Sequence, residues 1–158
     1  MTHLAKSLSQ ILWIGLVAGT LDITENIVFN AFRGITPWQI FQFIASGLLD
    51  GRSFQLGWAS VVLGVVIHYA IALTWTAIFY VAATRFNVLS PRPILSGLLY
   101  GVLVYAIMNF VVLPLSAVPP RPSASTIVVR INAVLALMFC IGLPVALLVK
   151  SAREAETT

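Results

Sequence analysis

Charge is what this sequence has least of: nine Lys and Arg and five Asp and Glu stand among 158 residues, 9% of the chain. A soluble domain charges roughly a quarter of its residues to keep its surface wet, so a soluble fold is excluded. Cysteine is scarcer still. Cys140 stands alone, which rules out an internal disulfide and leaves the redox compartment open. The basic residues give a net charge of +4 but lie scattered at the ends of apolar runs. They form no cluster that could track a phosphate backbone, so nucleic acid is not an expected partner. No nucleotide loop, haem attachment motif, nucleophile elbow or zinc-protease pair is present, and no cofactor is expected.

What is there is apolar: 59% of the residues are hydrophobic, gathered into four long runs with short joints. The expected fold is all-α, a polytopic membrane protein built as a four-transmembrane-helix bundle, with residues 1–158 forming a single membrane domain. The spans fall at about 8–32, 57–84, 94–117 and 127–149, each long enough to cross ~30 Å of hydrocarbon at ~1.5 Å per residue. His3 and Lys6 before the apolar start, with Val17-Ala18-Gly19 after it, loosely imitate a signal peptide. The segment reads as retained, because the polar residues that follow continue the same helical face.

Between the first two spans, Thr36 is a natural N-cap and Pro37 a natural first helical residue. The helix over residues 37–49 is too short to span. Gln39, Gln42 and Ser46 share one face opposite Phe41, Ile44 and Leu48, so it should lie at the interface or re-enter the membrane. Trp38 and Trp58 would anchor that edge. Pro119, Pro120 and Pro122 keep the last joint extended. An even number of spans puts both termini on one side, which collects Lys6, Arg85, Arg92, Lys150 and Arg153. The other side has Arg33, Arg52, Arg121 and, just inside the helix, Arg130. Positive charge favours the cytoplasm, so both termini are expected there.

Each span carries small or polar residues about four apart, a row along one helical ridge. The rows are Gly15, Ala18, Gly19, Asp22, Glu25 and Asn26; Ser60, Gly64, His68, Ala72 and Thr76; Gly97, Gly101, Tyr105 and Asn109; and Asn132, Ala136, Cys140 and Pro144. Lipid gives helices no hydrophobic reason to associate, so such ridges should face one another. Counting inward from the helix ends sets Asp22, His68 and Asn109 at similar depth. Glu25, Asn26 and Asn132 lie about a turn further out, with Arg130 near the edge.

Two acids one turn apart in a membrane must be neutralised, paired or wet. Their mutual repulsion favours a shared proton or a bound cation. Three readings of the layer stay open. It fastens the helices, with Arg130 pairing Glu25 and Asp22 bonding His68 or Asn109. It carries protons or cations, with Glu25 or Asp22 as carrier and His68 as relay. Or Asp22, Glu25 and His68 hold a metal, though at no recognised ligand spacing. Cys140 reads as a small packing residue, and Pro114 and Pro144 as positions that kink or end helices.

Gly15-Leu16-Val17-Ala18-Gly19-Thr20-Leu21-Asp22, Ile44-Ala45-Ser46-Gly47-Leu48-Leu49 and the run from Met108 to Arg121 resemble segments of a family of small bacterial four-helix membrane proteins. The resemblance covers most of the chain and implies the architecture and a bacterial inner membrane. It brings no activity, ligand or residue role. The functional expectation is a small proton- or cation-coupled transporter or channel-like protein using the acidic layer. The alternatives are an accessory or assembly subunit of a larger membrane complex and a membrane-embedded metal-dependent enzyme. Beyond the lipid bilayer, the small-residue faces offer a homo-oligomer or such a complex as partners.

Overall fold

A computed structural model describes residues 3–86, 91–119 and 126–157. Among these, four helices are long and apolar enough to cross a membrane: Ala5–Ala31, Trp58–Arg85, Pro93–Leu115 and Ile127–Ala155. A shorter helix, Pro37–Leu49, follows the first, and the described residues contain no strand. In chain order they are α1 (His3–Ala31), α2 (Pro37–Leu49), α3 (Trp58–Arg85), α4 (Pro93–Leu115) and α5 (Ile127–Ala155).

The first sign of α2 in the sequence was its cap, and Thr36 works as one. Its backbone N–H and its hydroxyl both donate to Gln39 Oε1, each at 2.9 Å, satisfying groups that a helix start leaves open. Helix α2 lies across α3 where Gly64 has no side chain; a Cβ there would overlap the Phe41 backbone. Its other end is tied to the chain after α4, where the Ala117 N–H donates to the Gly47 carbonyl at 3.0 Å. Asp50 then turns the chain at φ 51, and its Oδ1 accepts the Arg52 N–H at 2.9 Å, an Asx turn that offsets part of the strain.

The spanning helices pack as two close pairs. Helix α1 meets α3 along Gly15 and Gly19, which face Leu73, Ala72 and Tyr69. Helix α4 meets α5 where Gly97 and Gly101 sit directly on Gly142 and the Met138 backbone, leaving no room for a Cβ. The glycines of the expected rows in α1, α3 and α4 therefore do face partners, because backbone contact is what binds helices when lipid is the solvent, whereas in α5 the contact falls on Met138 and Gly142, off the expected row. The two pairs join through one core: Ile14 and Ala18 of α1, Phe79, Tyr80 and Ala83 of α3, Tyr100 and Val104 of α4, and Ile141, Val145, Ala146 and Val149 of α5.

That core occupies the half of the bundle that holds the termini. At this end the Tyr80 hydroxyl donates to Gln10 Oε1 at 2.7 Å, and Arg153 donates to the Ala83 carbonyl in the last turn of α3. Helix α5 runs past residue 149, where hydropathy ends the span, because Lys150 and Glu154 pair along it at 3.6 Å and Arg153 finds that carbonyl. Helix α1 likewise begins at His3, ahead of the expected residue 8.

Pro144 does not end its helix, and Pro114 stands one residue before the end of α4 at Leu115. Each follows a wide π turn, Met108–Val112 in α4 and Leu137–Gly142 in α5. Leu113 donates to Met108 and Leu143 to Met138, five residues back. Widening the turn lets the helix continue past a ring that would otherwise strike the carbonyl four residues back.

Candidate functional site: an acidic layer beside a π turn

Asp22 and Glu25 stand one turn apart on α1, both half-buried, close enough for each carboxylate to feel the other. They are carried towards α5 by the ridge that buries Ile14 and Ala18. From α5, the Asn132 amide donates to Glu25 Oε1 at 2.9 Å. Glu25 Oε2 is also buried, with no hydrogen-bond partner. Cys140, half-buried in the π turn of α5, lies within electrostatic reach of both acids. The layer is therefore Asp22, Glu25, Asn132 and Cys140, shared between α1 and α5.

The other expected members go elsewhere. His68 is buried, and its Nε2–H donates to the Gly19 carbonyl at 2.8 Å, so it fastens α3 to α1 and does not reach Asp22. Asn109 lies in the π turn of α4 and donates to Tyr105 of its own helix at 3.0 Å. Asn26 is exposed and bonds Asn30 one turn on. Arg130 is exposed. At Glu25 the hydrogen-bond partner is Asn132. Residues two apart on a helix point about 200° away from each other, so only one of the two can face α1. Arg121 falls outside the described residues.

No group of three or more His, Cys, Asp or Glu among the described residues is arranged to share a metal ion. With His68 turned to Gly19, the expected set of Asp22, Glu25 and His68 does not converge. Sequence reasoning placed Cys140 on the right ridge but read it as packing. Tyr69 and Tyr100 were not foreseen: Tyr69 meets Thr20 at 3.0 Å, and Tyr100 donates to the Trp75 carbonyl at 2.6 Å. A signal existed, since a buried phenol needs a partner. Comparison with family models, with curated proteins and with solved structures returns no match.

Proposed function

We propose that this chain is a small proton- or cation-coupled membrane transporter or channel-like protein, with Glu25 as the working carboxyl and Asp22 as its neighbour. One observation carries the reading: Glu25 has one oxygen held by Asn132 and the other buried without a donor. A structural carboxylate is normally satisfied at both oxygens, because an unpaired buried charge is costly. A proton or a cation on Oε2 removes that cost, and an acid that gains by taking one up and stands ready to release it suits a transport route.

The setting goes with it: a bacterial inner membrane, α2 lying at or dipping into the far interface, and both termini in the cytoplasm. Lys6, Arg85, Arg92, Lys150 and Arg153 at the terminal end support that orientation. Labelling of a cysteine placed at Ser123 by an impermeant reagent in intact cells tests it.

Proton flux is read with a pH-sensitive dye in vesicles holding the purified protein, with and without opposing Na⁺ or K⁺ gradients. Glu25→Gln keeps an acceptor for Asn132 and should abolish flux in a folded protein. Undiminished flux through that variant overturns the proposal.

A further inference from the structure

We infer that the first half of α5, Ile127–Ala136, is a gate arm that swings on the π turn Leu137–Gly142 and is latched shut by the Asn132–Glu25 hydrogen bond. The two halves of α5 are packed very differently. No residue of Ile127–Ala136 is buried, and Ile127, Val128 and Ile131 are 53–70% exposed. Beyond the π turn, Val145, Ala146 and Val149 are 0–2% exposed. The rigid part is clamped, with Gly142 against the backbone of Gly97 and Gly101 and Arg153 bonded to Ala83.

Between them the helical ladder is at its weakest. Leu143 reaches back five residues to Met138, and Pro144 has no N–H, so it can donate to neither the Phe139 nor the Cys140 carbonyl. Prolines and π turns are where helices bend. The end of α4 is as thinly buried, since Met108–Val112 and Leu113–Leu115 also contain no buried residue. A hydrogen bond crosses from the arm to α1, Asn132 on Glu25 at 2.9 Å. The latch closes on the carboxyl that the proposed function uses, so releasing it uncovers Glu25, Asp22 and Cys140 towards the α2 end.

This gate rests on the transport reading for its purpose but not for its detection. The chain's single cysteine lies in the hinge itself, so its rate of modification by N-ethylmaleimide in protein-containing vesicles reports opening without any flux. A moving arm without transport and transport without a moving arm are separate results. Asn132→Leu removes the latch and should speed modification about tenfold, the effect of losing one hydrogen bond to a charged group. Pro144→Ala restores a donor behind the hinge and should slow it severalfold. Asn109→Leu, which breaks only a bond within α4, should leave the rate unchanged. A rate within twofold of the native one in Asn132→Leu, or equal acceleration in Asn109→Leu, overturns the gate. Hydrogen exchange supplies a second readout that does not need the proline variant. Asn132→Leu should raise exchange in residues 127–136 and not in 143–149, and an equal rise in both refutes a hinge between them.

Discussion

The half of the bundle near the termini and the half near α2 draw on the same apolar residues but are held differently. Near the termini, eleven buried side chains from all four spanning helices form one core, and Tyr80, Tyr100 and Arg153 each bond a neighbouring helix. Near α2 the crossing with α3 is close at Gly64 and buries Ile40, Ala45 and Ser46, but Glu25 keeps a buried oxygen without a partner and the start of α5 buries nothing. Dense packing resists rearrangement, whereas elements that move are drawn from regions with few buried contacts. The difference separates a scaffold from a working end within one small bundle.

The hardest way to break the scaffold is at the crossing of α4 and α5. Gly101→Leu would drive a side chain into the Met138 backbone, which cannot yield as a side-chain tip can. Overpacking usually costs about 1–3 kcal/mol and more when backbone must move, so this variant should fail to give a folded bundle in detergent. Normal yield with a native denaturation midpoint would show that the crossing is looser than described.

The same substitution made twice in one helix sharpens the comparison. Ile141→Ala, at a residue 3% exposed, should destabilise by about 2–3 kcal/mol, because a cavity loses contacts whether or not water is the outer solvent. Ile131→Ala, at a residue 53% exposed, should cost under about 0.5 kcal/mol, since lipid fills the space. Midpoints in a denaturant titration measure both. Equal losses would erase the distinction between the halves.

How far these contrasts were legible in the sequence depends on the scale. Four long apolar runs and a short capped helix can be read from length, hydropathy and Thr36-Pro37, and helices of that kind appear at those places. The small-residue ridges were legible in part: Gly15, Gly19, Gly97 and Gly101 do sit at close backbone contacts, but in α5 the contact falls on Met138 and Gly142, off the row of Asn132, Ala136, Cys140 and Pro144. The site was half legible. Asp22 and Glu25 stand out in any apolar helix, but their partners depend on helix rotation, which hydropathy does not fix. Arg130 looked the natural counter-ion by charge, while the side chain bonded to Glu25 is Asn132, two positions on. The π turns were hidden because a proline signals only that the ordinary ladder is interrupted, not that the helix widens and carries on.

A smaller effect belongs to the end of the scaffold. Arg153 donates to the Ala83 carbonyl, one of the acceptors that the end of α3 leaves without a helical partner. Arg153→Ala should cost about 1 kcal/mol and leave Cys140 modification unchanged, because the Gly142 contact with Gly97 and Gly101 still holds α5 between it and the hinge. If labelling accelerates, the two halves are coupled through the clamp instead of separated by it.

The one change not expected to destabilise falls where charge is most conspicuous. Asp22 makes no hydrogen bond with any described residue, while it feels Glu25 one turn along α1. Asp22→Asn keeps the shape, removes no bond and ends the repulsion between two carboxylates, so stability should stay level or rise by up to about 1 kcal/mol. In the terminal half, by contrast, Tyr100→Phe removes a polar group that is bonded and should lose about 1 kcal/mol. Opposite signs from two polar deletions in one bundle are what a working end and a scaffold should give. Denaturation midpoints of Asp22→Asn and Tyr100→Phe, taken beside vesicle proton flux, read stability and function together. Flux lost from Asp22→Asn at undiminished stability marks the acid as working. A clear fall in its stability would instead make Asp22 a fastening residue and move the acidic layer back into the scaffold.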